Sequence, residues 1–202
     1  HLPRERDIQD ALKSVGYRHI MVRDGKLLKD DPTVHIDLGG IAKGYAIMEA
    51  VKVLKAHGVR SALVDAGGDM FVLGRKGPRP WNVGIQDPRG EGIVGYVTVQ
   101  DIAVIGSGDY ERFFIQDGKR YHHIFDPRTG YPTQGVASVP LIYPDPLIAQ
   151  AWAKVPFVLG PAKGLEMLER IPGMEAVIIL SSGEQLCSKG MLHPLKPAAG
   201  MK

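Results

Sequence analysis

Apolar positions recur at helical spacing most clearly between residues 40 and 57. There Ile47, Val51 and Leu54 fall at i, i+4 and i+7, and Gly58 stands where a C-terminal cap belongs. Residues 6–15 predict a shorter helix with Ile8, Ala11 and Leu12 on one face, and further helices are expected near 145–159 and 161–170. Pro156 predicts a kink in the first of these two. Short apolar or alternating runs bounded by glycine and aspartate predict strands at Tyr17–Val22, Lys26–Leu28, Ser61–Val64, 70–73, 81–86, 93–99, 102–106, 136–143 and 175–180. Asp24-Gly25 and Asp117-Gly118 are hairpin turns by composition, the second joining Tyr110–Gln116 to Lys119–Phe125. Helices and strands in this order predict an α+β fold with mostly antiparallel pairing, not a βαβ ladder.

Composition narrows the class. A chain of 202 residues predicts one domain over 1–202, and 44% apolar with 23% charged residues exclude a disordered chain. Lys and Arg number 25 against 22 Asp and Glu, a formal charge of +3, which argues against a nucleic-acid surface. No apolar stretch approaches the roughly 20 residues of a membrane-spanning helix. Cys187 has no second cysteine, so a disulfide framework and a cysteine-based zinc site are excluded. The chain opens on His1-Leu2-Pro3-Arg4 without a signal peptide, so it is expected to start after a processing site or inside a longer protein. From Leu186 the sequence turns rich in Gly, Pro, Lys and Ala, and a loose tail over 187–202 is expected.

Three clusters carry candidate chemistry. Asp37-Leu38-Gly39-Gly40-Ile41-Ala42-Lys43-Gly44 opens the strongest helix. A helix start offers unpaired N–H groups, glycines admit an anion, and Lys43 adds charge, so phosphate binding competes with a tight loop bearing a solvated lysine. Ala66-Gly67-Gly68-Asp69 follows an apolar strand; it suits either a plain hairpin turn or the close approach of a flat ligand. Tyr121 to Pro132 ends the second hairpin with His122, His123, Asp126 and Arg128. Alternation puts His123 and Phe125 on one face and His122 and Ile124 on the other, so one imidazole can serve as a general base while its neighbour faces away. Asp126 and Arg128 read equally as an ion pair that fixes the loop.

Taken together, these clusters resemble the ApbE family, the flavin transferases that move FMN from FAD onto a threonine of another protein. The matching segments are Asp37–Tyr45, Ala62–Asp69, Trp81–Pro88, Ser107–Phe113 and His122–Pro132, and the resemblance runs from about residue 8 to residue 185. It implies a T-fold-like α+β architecture, an FAD cleft, and magnesium on the FAD pyrophosphate. It further implies His123 as the base, Gly39, Gly40 and Lys43 on the pyrophosphate, and Gly67, Gly68 and Asp69 along the flavin. Ser107, Gly108 and Tyr110 would lie toward the adenosine. The family pattern begins upstream of residue 1, and its members are often exported lipoproteins, so a periplasmic or membrane-anchored location follows from kinship. The expected partner is an acceptor protein with a Ser/Thr-Gly-Ala-Thr-like motif, which this chain does not itself contain.

The magnesium site is where the sequence departs from the pattern. The family holds the ion with a backbone carbonyl, here that of Gly40, and with an Asp and a Thr four residues apart; this chain has Gln150 and Lys154 at those two positions. An amide oxygen is a poorer magnesium ligand than a carboxylate, and an ammonium repels the ion. Met48 likewise replaces a usual Asp. Lys154 is therefore expected either to stand in for the metal beside the pyrophosphate or to point to solvent beside an empty site. Two rival functions follow: a non-catalytic FAD-binding or flavin-delivery protein, and an FAD pyrophosphatase that yields FMN and AMP with water as nucleophile.

Overall fold

The structure, a computed structural model, describes residues 2–198. Its centre is a six-stranded antiparallel sheet built from β3 (Ala62–Ala66), β4 (Asp69–Leu73), β7 (Ile102–Gly108), β10 (Val136–Tyr143), β11 (Glu175–Leu180) and β12 (Gln185–Cys187), in the order β12-β11-β10-β7-β4-β3. These strands are apolar almost throughout because both sheet faces are covered, and successive side chains go to opposite cores. Phe71, Ala103, Ile105, Val139, Leu141, Ala176 and Ile178 face one core, together with Ile47 and Val51 of α2 (Ala42–Ala56) and Leu168 of α5 (Pro161–Glu169). Their neighbours Val72, Ile102, Val104, Ile142, Val177 and Ile179 face a second core, closed by Val83, Ile85, Val97 and Val99 of β5 (Trp81–Gln86) and β6 (Ile93–Val99). The molecule is thus an α+β stack of three layers, helices on a six-stranded sheet on a small sheet.

Around this stack lie α1 (Glu5–Leu12), the ribbon β1–β2 (Ile20–Arg23 and Lys26–Lys29) and the hairpin β8–β9 (Phe113–Gln116 and Lys119–His122). Several expectations need correction. Tyr17–His19 forms a 3-10 turn, and the strand begins only at Ile20. The helix expected over 145–159 is two: α3 (Pro146–Trp152) ends, and α4 (Val155–Leu159) starts again after Lys154. Pro156 falls in the first turn of α4, where its missing N–H leaves no bond unmade, so the chain breaks ahead of the proline instead of kinking at it. The tail is tied down further than expected. Gln185–Cys187 pairs with β11, and β13 (Lys196–Pro197) adds an edge to β6. Residues 199–202 of that tail lie outside the described residues.

Candidate functional site

The site grows from two glycine positions. At Gly44, in the first turn of α2, a Cβ would run into the backbone of Pro146 and Leu147, so only glycine lets α2 and α3 cross this closely. That approach brings Gln150 of α3 to the start of α2. Its buried Oε1 accepts the Gly44 N–H at 2.7 Å, the task a capping side chain performs, while the N-cap Ile41 makes no side-chain bond. At the other position, Gly67 and Gly68 form the two-residue β3–β4 turn with φ of 66° and 88°, the positive range that glycine tolerates. Their hairpin-turn reading is therefore correct locally, and the same turn delivers Asp69 into the interior.

Asp69 is 3% exposed. Its Oδ1 accepts the Gly106 N–H at 2.9 Å, and its Oδ2 accepts from Gln150 Nε2 at 3.2 Å and faces Lys43 Nζ at 3.6 Å. Burial raises the Asp69 pKa, against the Gly106 bond and the charges of Lys43 and Lys154. Lys43 Nζ also donates to Gly67 O at 3.1 Å. Lys154 comes from the α3–α4 break, and its Nζ donates to Gly40 O at 2.8 Å and Gln150 O at 2.5 Å. Its pKa is pushed down to about 8, chiefly by burial and further by Lys43, with Asp69 opposing.

Gly40, Lys43, Gly67, Asp69, Gln150 and Lys154 thus form one network, although they come from three separate parts of the chain. Beside it opens a cavity of about 110 Å³ lined by Gly67, Gly68, Asp69, Tyr110, Glu111 and Ser138, among others. Burial raises the Tyr110 phenol despite a hydrogen bond with Ser138. Ser107 and Gly108, expected beside Tyr110, are buried in β7 and do not line it. Gly39 and Gly40 stay exposed in the loop ahead of α2, where Asp37 Oδ1 accepts the Gly39 N–H at 2.6 Å.

The histidine pair divides as alternation predicts. His122 is buried: its Nε2 donates to Thr133 O at 2.8 Å and its Nδ1 accepts the Ile124 N–H at 3.2 Å, an arrangement that requires the neutral ring. His123 is exposed, and its ring makes no hydrogen bond to any described residue. It opens onto a second, apolar groove of about 450 Å³ between α1 and the β8–β9 hairpin. Tyr110 and Glu111 line the first cavity and Arg112 the second, and Arg112 O accepts the His123 N–H at 3.2 Å, so one short segment links the two. Asp126 and Arg128 form the loop-fixing pair at 2.7 Å, and Arg128 also donates to Val158 O at 2.9 Å.

Two structural partnerships escaped the sequence. Gly106 offers its N–H to Asp69 only because β4 pairs with β7. Arg89, in the β5–β6 loop, makes a two-pronged pair with buried Asp109 at 2.7 Å, which ties the small sheet to the end of β7. Neither contact has a local sequence signal.

The sequence and the fold both have relatives. The ApbE family model matches residues 1–178. The chain belongs to the ApbE family. Among curated ApbE relatives, the FAD:protein FMN transferase of Treponema pallidum is 39% identical over 208 residues, covering 94% of this chain and 58% of the relative. That of Klebsiella pneumoniae is 38% identical over 165 residues, covering 77% and 51%. The crystal structure of the Thermotoga maritima ApbE protein superposes with a TM-score of 0.86 at 38% identity, covering 94% of this chain and 63% of that one. The Pseudomonas stutzeri flavinyl transferase ApbE gives 0.81 at 34%, covering 94% and 60%. The chain therefore spans little more than half the length of the curated relatives it matches.

Magnesium can be tested against these ApbE residues. Gln150 has its oxygen turned to Gly44 and its NH₂ to Asp69, Lys154 holds the Gly40 carbonyl, and both Asp69 oxygens are engaged. Among the described residues no cluster of three His, Cys, Asp or Glu side chains could hold a metal ion. The residues present do not fit a divalent cation.

Proposed function

We propose that this ApbE chain binds FAD and passes its FMN portion to a threonine of an acceptor protein, releasing AMP. The observation that carries the proposal is the division of labour at the hairpin end. His122 is spent on structure, whereas the His123 ring stands exposed and uncommitted, its backbone tied to Arg112, next to the Tyr110 and Glu111 that line the glycine-lined cavity. His123 takes the proton from the acceptor hydroxyl, the alkoxide oxygen attacks the FMN-side phosphorus, and the P–O bond to AMP breaks, leaving the electron pair on the AMP phosphate. Lys43 and the start of α2 at Gly39-Gly40 hold the diphosphate, where positive charge and N–H groups offset the charge on the leaving phosphate. Gly67 and Gly68 let the flavin lie close to the backbone, and Tyr110 is the adenosine-side candidate that reaches the cavity.

The test incubates the protein with FAD and a peptide carrying the Ser/Thr-Gly-Ala-Thr motif. AMP together with a peptide heavier by one FMN is the expected result. The Gln150–Lys154 substitution favours a second reading, FAD binding without catalysis, which predicts bound FAD and no AMP. AMP and free FMN without peptide would assign the chain as a pyrophosphatase.

A further inference from the structure

We infer that the Lys154 ammonium is a built-in replacement for a divalent cation, so that this protein holds the FAD diphosphate without metal. The inference rests on the FAD reading given above and specifies how the site works. Two backbone carbonyls from distant segments, Gly40 O and Gln150 O, converge on Nζ at 2.8 and 2.5 Å. Hard oxygens arranged around a small space are what a divalent cation needs, and here they receive N–H donors instead. An ammonium has three such donors, and these two bonds leave one for an anion oxygen.

The surroundings suit an ammonium group. A carboxylate at position 150 would pair with a cation in this space. Gln150 instead carries an NH₂ that satisfies buried Asp69 and an oxygen that caps α2. Asp69, held between Gly106, Gln150 and Lys43, balances the positive charge without being available as a ligand. A magnesium ion placed against Gly40 O would sit beside a positive charge at hydrogen-bonding distance, so metal and lysine are mutually exclusive. Lys43 contributes a second positive charge from α2, and Glu111, which lines the cavity, is the other acidic group near the cluster. A lysine anchored by two carbonyls is also pre-positioned, which spares the ordering cost a flexible surface lysine would incur on binding.

Two measurements on the folded protein test this. Fluorescence quenching gives the FAD Kd in excess EDTA and in millimolar magnesium, and electron paramagnetic resonance of added Mn²⁺ without FAD reads metal binding directly. Wild type is expected to bind FAD equally in both buffers and to leave Mn²⁺ free. Lys154→Met, which keeps the aliphatic stem, should bind FAD roughly tenfold more weakly in either buffer. Gln150→Asp combined with Lys154→Thr should take up one Mn²⁺ and bind FAD tightly only with metal. Wild-type FAD binding that collapses in EDTA and returns with magnesium overturns the inference, as does a bound Mn²⁺ signal in wild type. FAD bound in neither buffer overturns the FAD reading itself, and with it the role of Lys154.

Discussion

At the scale of single residues, adjacent side chains have opposite duties because a strand turns successive residues to opposite faces. His123 faces the groove, so His123→Ala should lower AMP release and peptide labelling about 100-fold or more, the range of general-base catalysis, while FAD affinity by quenching stays within twofold. Equal losses in binding and turnover would remove its role as a base. His122 acts through stability. Burial lowers its pKa, with the Thr133 carbonyl and Asp109 opposing and His123 and Arg120 reinforcing. A histidine with a depressed folded pKa leaves the unfolded chain to take up the proton first. Its contribution is therefore full above the unfolded value of about 6.5 and is lost as pH falls toward the folded value. Urea midpoints should decline for wild type below that pH and decline less for His122→Gln. Which histidine faced inward was legible only as a pair of alternatives, since alternation orders two faces without saying which one the core covers.

At the scale of elements, the crossing of α2 and α3 makes the site. Helical periodicity located α2 to within a few residues, and its Ile47 and Val51 are in the core as the spacing predicts. The close approach at Gly44 was not legible, because the Lys-Gly pair looks the same whether or not a second helix lies against it. Gly44→Ala should cost about 2–3 kcal/mol by forcing the helices apart and releasing the Gln150 cap, read as a lower urea midpoint at unchanged slope. A loss under about 0.5 kcal/mol, the size of a neutral surface change, would mean that the helices separate freely. The break between α3 and α4 shows the same limit. Pro156 signalled a disruption, but the break falls ahead of it and sets Lys154 at the junction from which it reaches Gly40.

At the scale of the whole molecule, the large sheet buries both faces, and the small sheet is held to it by apolar packing and by the Arg89–Asp109 pair. Arg89→Met leaves a buried carboxylate without its partner and should cost about 3 kcal/mol in chemical denaturation. Asp109→Asn should cost less, because the Arg89 side chain is 31% exposed and water can solvate what remains. Equal losses would show that the exposure of Arg89 gives it no relief when its partner is removed. Residues 187–198 belong to the same scale. Their composition suggests a loose tail, yet strand edges elsewhere in the fold capture them, β11 pairing with β12 and β6 with β13.

The sequence by itself determined the local things: where the chain turns, which segments alternate, the helix that begins behind Gly39-Gly40, and the ordered motifs that mark an ApbE chain. It even named the two positions, Gln150 and Lys154, where that pattern changes. Only the tertiary structure decided what the change means. Gln150 meets Gly44 across 106 residues of sequence and Lys154 meets Gly40 across 114. Local patterning carries no information about partners so far apart. Those meetings arise from a helix crossing and a sheet register, and they put an ammonium group on the Gly40 carbonyl.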